Sequence, residues 1–114
     1  MKLLEAIENV KVYNKEMLID IYYALEDRMN VLEMQEPDCD KEFFYEKWEN
    51  KYNDFCVIFE DFEVLMERLG FLETEIEEEL LENDIKILEN SLNKIKIDIK
   101  NYQFEYGGLK RLKI

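Results

Sequence analysis

Residues that break helices are almost absent from this chain, and their positions limit what it can fold into. The only proline is Pro37, and the only glycines are Gly70 and the pair Gly107-Gly108. Proline interrupts a helix and glycine commonly closes one. These marks divide the chain into three stretches of similar length, about 2–35, 41–69 and 73–106.

Each stretch repeats apolar residues at helical spacing. In the first, Leu3, Ile7, Val10, Met17, Ile21, Ala24 and Val31 form one row, interrupted by Asn14 and Arg28. A neighbouring row holds Leu18, Tyr22, Leu25, Met29 and Leu32. Together they make the wide apolar face of a core-facing helix. The alternation Val10-Lys11-Val12-Tyr13 is a short strand signal inside it and leaves open a break near Asn14. The second stretch alternates steps of three and four through Tyr45, Trp48, Tyr52, Phe55, Phe59, Phe62, Met66 and Leu69. The third does the same through Leu81, Ile85, Leu88, Leu92, Ile95, Ile99, Tyr102 and Tyr106. Such heptads specify helices packed nearly parallel or antiparallel.

The ends carry matching chemistry. Asp40 is the expected N-cap of the second helix, and Gly70 with Phe71 its expected C-terminal stop. Thr74 and Glu77 have capping-box spacing for the third. Short connections force successive helices to alternate in direction, and 30–35 residues give helices of roughly 45–50 Å. The expected fold is all-α: an elongated antiparallel three-helix bundle over residues 1–106, followed by a short basic C-terminal tail, 107–114. A homo-oligomer completing a larger bundle is the alternative.

The chain has no histidine, one serine (Ser91) and one threonine (Thr74). Catalytic triads, Cys–His pairs and His-ligated metals therefore fall away. Glu46/Glu49, Glu60/Glu63, Glu75/Glu78 and Glu79/Glu82 have the ExxE spacing of magnesium-binding carboxylate pairs, but 28 acidic residues produce that spacing by chance. No enzymatic activity, cofactor or metal is expected. Cys39 and Cys56 lack a zinc or CxxC spacing and read as free thiols of a reducing compartment. No apolar run reaches the roughly 20 residues of a membrane span, and Glu5 and Glu8 interrupt any signal-peptide core. The expected location is the cytoplasm. A net charge of −13 argues against direct contact with nucleic acid or anionic membrane.

Charge is unevenly placed. Residues 54–84 hold twelve acids against one base, Arg68, whereas residues 94–114 carry a net charge of +4. In an antiparallel hairpin the acids gather at one end, where Asp61, Glu67, Glu73, Glu75, Glu78, Glu79 and Glu82 are the expected contacts for a basic partner. Closely spaced carboxylates on a rigid helix can imitate a phosphate array and occupy the Lys/Arg groove of a nuclease or another nucleic-acid-binding protein. A solvated acidic surface that keeps the chain soluble is the plainer reading.

A second apolar row on the third helix, Ile76, Leu80, Ile87, Ile97 and Phe104, marks either a contact with helix 1 or a face for a partner or for self-association as a homodimer. Phe43 and Phe44 lie off the main stripe and could anchor a partner. The tail Leu109-Lys110-Arg111-Leu112-Lys113-Ile114 is basic and amphipathic; it could dock on an acidic neighbour or fray.

The leading expectation is an acidic inhibitor acting by nucleic-acid mimicry, of the phage anti-defence or anti-CRISPR kind. The alternatives are a self-associating coiled-coil scaffold or adaptor, and an immunity protein or antitoxin neutralising a basic toxin.

Overall fold

Val10 and Val12 are both buried while Lys11 and Tyr13 point outward, and this two-residue alternation divides the first stretch in two. The computed structural model describes residues 3–38, 40–71 and 82–106. They form α1 (Leu3–Asn9), α2 (Lys15–Met34), α3 (Glu42–Arg68) and α4 (Glu82–Tyr106), with no strand among them. The fold is an all-α helical bundle, as the heptads require, but the helix expected over 2–35 is a helical hairpin. The chain leaves the helix at Val10 and turns at Val12 and Tyr13, which buries both valines where a continuous helix would set them about 160° apart. Asn14 then starts α2: its Oδ1 accepts from the Met17 N–H at 3.2 Å, while its own N–H closes a turn onto the Lys11 carbonyl at 3.0 Å.

Directions follow from the contacts. Glu8 meets Lys100, Val10 meets Lys96 and Val12 meets Glu89, so this segment runs antiparallel to α4. Tyr22 meets Glu63 and Glu33 meets Tyr52, so α2 and α3 are antiparallel; Tyr106 meets Asp54 near one end of α3 while Leu88 and Ser91 lie beside Leu65 and Arg68 near the other, so α3 and α4 are antiparallel too. The long helix α3 packs against both α2 and α4, and α1 against the same two from the other side. The body measures 51 × 29 × 22 Å.

Two polar hooks hold the α1–α2 connection. Lys96, buried on α4, donates from Nζ to the Val10 carbonyl at 2.8 Å, and the Val12 N–H donates to Glu89 Oε1 at 3.2 Å. Burial, with Lys11 nearby, pushes the Lys96 ammonium below its usual range. The exposed Lys100–Glu8 pair, at 3.3 Å, adds little. At the far end, Trp48 Nε1 donates to the Leu32 carbonyl at 2.7 Å, adding a second partner to an acceptor that the Gln35 N–H also meets at 3.1 Å. Trp48 also stacks on Tyr52, with ring centroids 5.0 Å apart.

The start of α3 departs from expectation. Its N-cap is Lys41, without a side-chain bond, instead of Asp40. The Lys41 N–H is drawn into a turn onto the Asp38 carbonyl at 3.0 Å, which moves the helix start one residue on. The end of α3 is as expected. Gly70 takes φ +72°, its N–H reaches the Glu67 carbonyl, and the Phe71 N–H reaches the Met66 carbonyl, both at 3.0 Å. That pairing is a Schellman motif. A Cβ at Gly70 would meet nothing within 4 Å, so only backbone strain opposes it. Gly70→Ala is expected to lower stability by about 1–2 kcal/mol, read as a shift in the urea midpoint; no shift would remove the left-handed conformation at this position. The Thr74/Glu77 capping box lies outside the described residues.

Candidate functional site

Helix α3 carries most of the described part of the acidic segment, and Asp84 lies in the first turn of α4. α3 buries Phe55, Ile58, Phe62, Leu65 and Met66 and turns the residues between them outward. Glu60 and Glu67 are exposed. Glu63 is half-buried and accepts from the Tyr22 hydroxyl at 3.2 Å. Asp61 sits in a groove between α3 and α4 whose walls also present Arg68, Ser91 and Lys94. Among the described residues two cations therefore share the groove with its one carboxylate: Arg68 at i+7 on the same helix, and Lys94 from α4, which spacing along α3 does not reveal. Asp61 and Glu67 lie on different sides of α3, six residues and about 120° apart. Glu73, Glu75, Glu78 and Glu79 lie outside the described residues, as does the side chain of Glu82, the first residue of α4.

The second apolar row is exposed where it is described. Ile87 is 50%, Ile97 59% and Phe104 94% exposed, so this row does not meet α1. α1 and its connection engage α4 through Glu89, Lys96 and Lys100 instead. Ile97 and Phe104 share one face of α4, and Ile87 lies about 80° to one side of Ile97. Ile76 and Leu80 lie outside the described residues. Phe43 and Phe44 are also exposed, in edge-to-face contact with centroids 5.6 Å apart.

A feature the sequence reading did not select lies lower on the α3–α4 face. Asp54 from α3 and Asp98 and Glu105 from α4 line a groove with Val57 and Ile58, and among the described residues no cation lines it. Tyr106 forms one wall and donates its hydroxyl to Asp54. The signal was available as the i, i+7 pair Asp98/Glu105, but pairing it with Asp54 needs the register between the helices.

The titrating groups nearest the packed faces are tyrosines. Burial and the hydrogen bond to Glu63 push Tyr22 up to about 12. Burial and the bond to Glu33 do the same for Tyr52, and burial for Tyr102. The bond to Asp54, then burial, raises Tyr106. A free phenol titrates near 10. Raised folded-state values contribute stability that is complete below pH 10 and is lost as pH rises through about 12. The expected result is helix loss between pH 10 and 12 together with phenolate absorbance at 295 nm. Full phenolate absorbance near pH 10 with helicity intact would contradict these contacts. Cys56 is a half-buried free thiol beside Met29, raised by burial.

Among the described residues no group of acidic, Cys or His side chains is placed to hold a metal, and no helix is long and apolar enough to cross a membrane. Comparison with family models, curated proteins and solved structures finds no match. The class that the fold and surfaces define is that of a helical bundle with charged grooves and exposed apolar side chains.

Proposed function

We propose that the chain is a non-catalytic protein-interaction module, an acidic inhibitor that occupies the basic, nucleic-acid-binding surface of a partner such as a nuclease. One observation carries the reading: twelve acids against one base within residues 54–84. So many like charges weaken the folded state at low salt, and a basic partner would relieve that repulsion. The rigid second half of α3, with Glu60 and Glu67 facing solvent, supports it. An immunity protein or antitoxin would use the same physics against a basic toxin. The test is capture of a host protein by the immobilised chain, followed by competition between the chain and that protein's nucleic acid. A captured partner whose nucleic acid stays bound would overturn the mimicry.

A self-associating scaffold is the second reading, favoured by the exposure of Ile87, Ile97 and Phe104. Large apolar side chains grouped on a surface tend to mark contacts. If it holds, light scattering at micromolar concentration reports a dimer, and Ile97→Asp with Phe104→Asp returns it to a monomer with helicity unchanged. Both side chains are already in water in the single chain, so their replacement leaves its core alone. A monomer in the unaltered chain would remove the scaffold.

A further inference from the structure

We infer that the outward face of α4 docks on the outward face of α3 in a second copy of this chain. The inference deepens the scaffold reading and rests on it: Ile97 and Phe104 are exposed in the single chain, and the α3 face of another copy is what covers them.

Charge separates the two faces. From Ile85 to Phe104 every exposed residue of α4 is Ile, Phe, Asn or Lys, and none is acidic. Lys86, Lys94 and Lys100 make this a cationic strip in a chain whose net charge is −13. Lys100 meets Glu8 in its own chain, but that pair is exposed and leaves the ammonium open to a second carboxylate. From Asn53 to Glu67 every exposed residue of α3 is Asn, Asp, Glu or Val, and none is basic. Its carboxylates are Asp54, Glu60 and Glu67. Docking α4 on α4 would set lysine against lysine, and α3 on α3 would set carboxylate against carboxylate. The unlike pairing joins opposite charges.

The apolar residues match in spacing. Val57 and Val64, each more than half exposed, lie seven residues apart on α3, as Ile97 and Phe104 do on α4. Each pair spans about 10 Å along its helix and stays on one side of it. Glu60 follows Val57 by three residues and Lys100 follows Ile97 by three, so both faces alternate apolar and charged positions at the three-and-four spacing of a helix seam. Helix α2 also exposes acids, Asp20 and Asp27, but its exposed apolar residues Tyr23, Val31 and Met34 include no pair seven apart. The net charge of −13 sets copies against one another at a distance. At physiological ionic strength screening acts over about 8 Å and leaves the outcome to the residues that face each other.

A contact between unlike faces leaves each pair with one free face of either kind, so the mass grows past a dimer as concentration rises. The experiment compares the full unaltered chain with two variants, Ile97→Asp/Phe104→Asp on α4 and Val57→Asp/Val64→Asp on α3, by light scattering with helicity measured alongside. All four side chains are exposed in the single chain, so the core is left alone. Each variant by itself is expected to associate about tenfold more weakly than the unaltered chain or less, since a carboxylate replaces an apolar contact. Mixed in equal amounts, the two should form a 1:1 pair that stops at two copies, because one supplies an intact α3 face and the other an intact α4 face. Glu60→Lys/Glu67→Lys should also weaken association about tenfold, whereas Asp20→Lys/Asp27→Lys on α2 should not weaken it. A monomeric unaltered chain removes the scaffold and this contact together. If the unaltered chain associates and Val57→Asp/Val64→Asp associates equally well, the contact is overturned and the scaffold stands. Two variants that stay monomeric when mixed overturn it in the same way.

Discussion

Phe62→Ala is expected to cost about 3–5 kcal/mol, a large share of the 5–15 kcal/mol that holds a domain of this size together. Phe62 has no exposed surface and lies in the core formed by all four helices. The loss combines the transfer free energy of a benzyl group with the cavity it leaves. Leu88→Ala, at a site 1% exposed on α4, should cost about 2–5 kcal/mol. Phe59→Ala belongs on a lower scale, because Phe59 is only half-buried and lies against Tyr22 at a centroid distance of 5.5 Å. Urea unfolding followed by helical circular dichroism gives all three values. Equal losses at Phe59 and Phe62 would show that the burial pattern of α3 is wrong.

That contrast marks how far the heptads are legible. On α4 Leu88, Leu92, Ile95, Ile99 and Tyr102 are buried as their spacing requires, whereas Ile85 of the same row is exposed near the start of the helix and Tyr106 is half-buried at its end. On α3 the same reasoning selects Phe59 but overlooks Ile58 and Leu65, which are buried. α3 lies between α2 and α4 and must bury two rows, whereas a heptad describes a single seam. Tyr45, Trp48 and Tyr52, on the same heptad, remain half-buried beside the last turns of α2.

The break between α1 and α2 was present as an alternation at Val10 and Val12. What it could not reveal was the anchor: Lys96 reads as one more solvated charge on α4, yet its ammonium is buried against the Val10 carbonyl. The surfaces divide in the same way. Exposure of Ile97 and Phe104 follows from their lying off the α4 heptad. The placement of Lys94 beside Asp61 and the carboxylate trio at the lower groove depend on the register of α3 against α4, and neither helix alone contains that information.

Charge reversal at Glu75, Glu78, Glu79 and Glu82 is expected to slow association with the captured partner by about 10- to 1000-fold, the range over which electrostatic steering acts. The change of eight charge units takes residues 54–84 from a net −11 to −3 and removes most of the attraction. Binding of the unaltered chain should itself weaken steeply with salt, since screening acts over about 8 Å at physiological ionic strength. The control is reversal at Glu46 and Glu49, which are exposed on the first turns of α3. They stand about 30 Å along the helix from Glu67, several screening lengths away. Glu8 would serve less well, because its pairing with Lys100 mixes a local contact into the result. Helicity measured alongside separates loss of binding from loss of fold. If the Glu75–Glu82 variant associates as fast as the unaltered chain and still displaces the partner's nucleic acid, carboxylate mimicry is wrong and the acids serve solubility. If the control slows association equally, the effect belongs to net charge alone and the acidic end is not the contact.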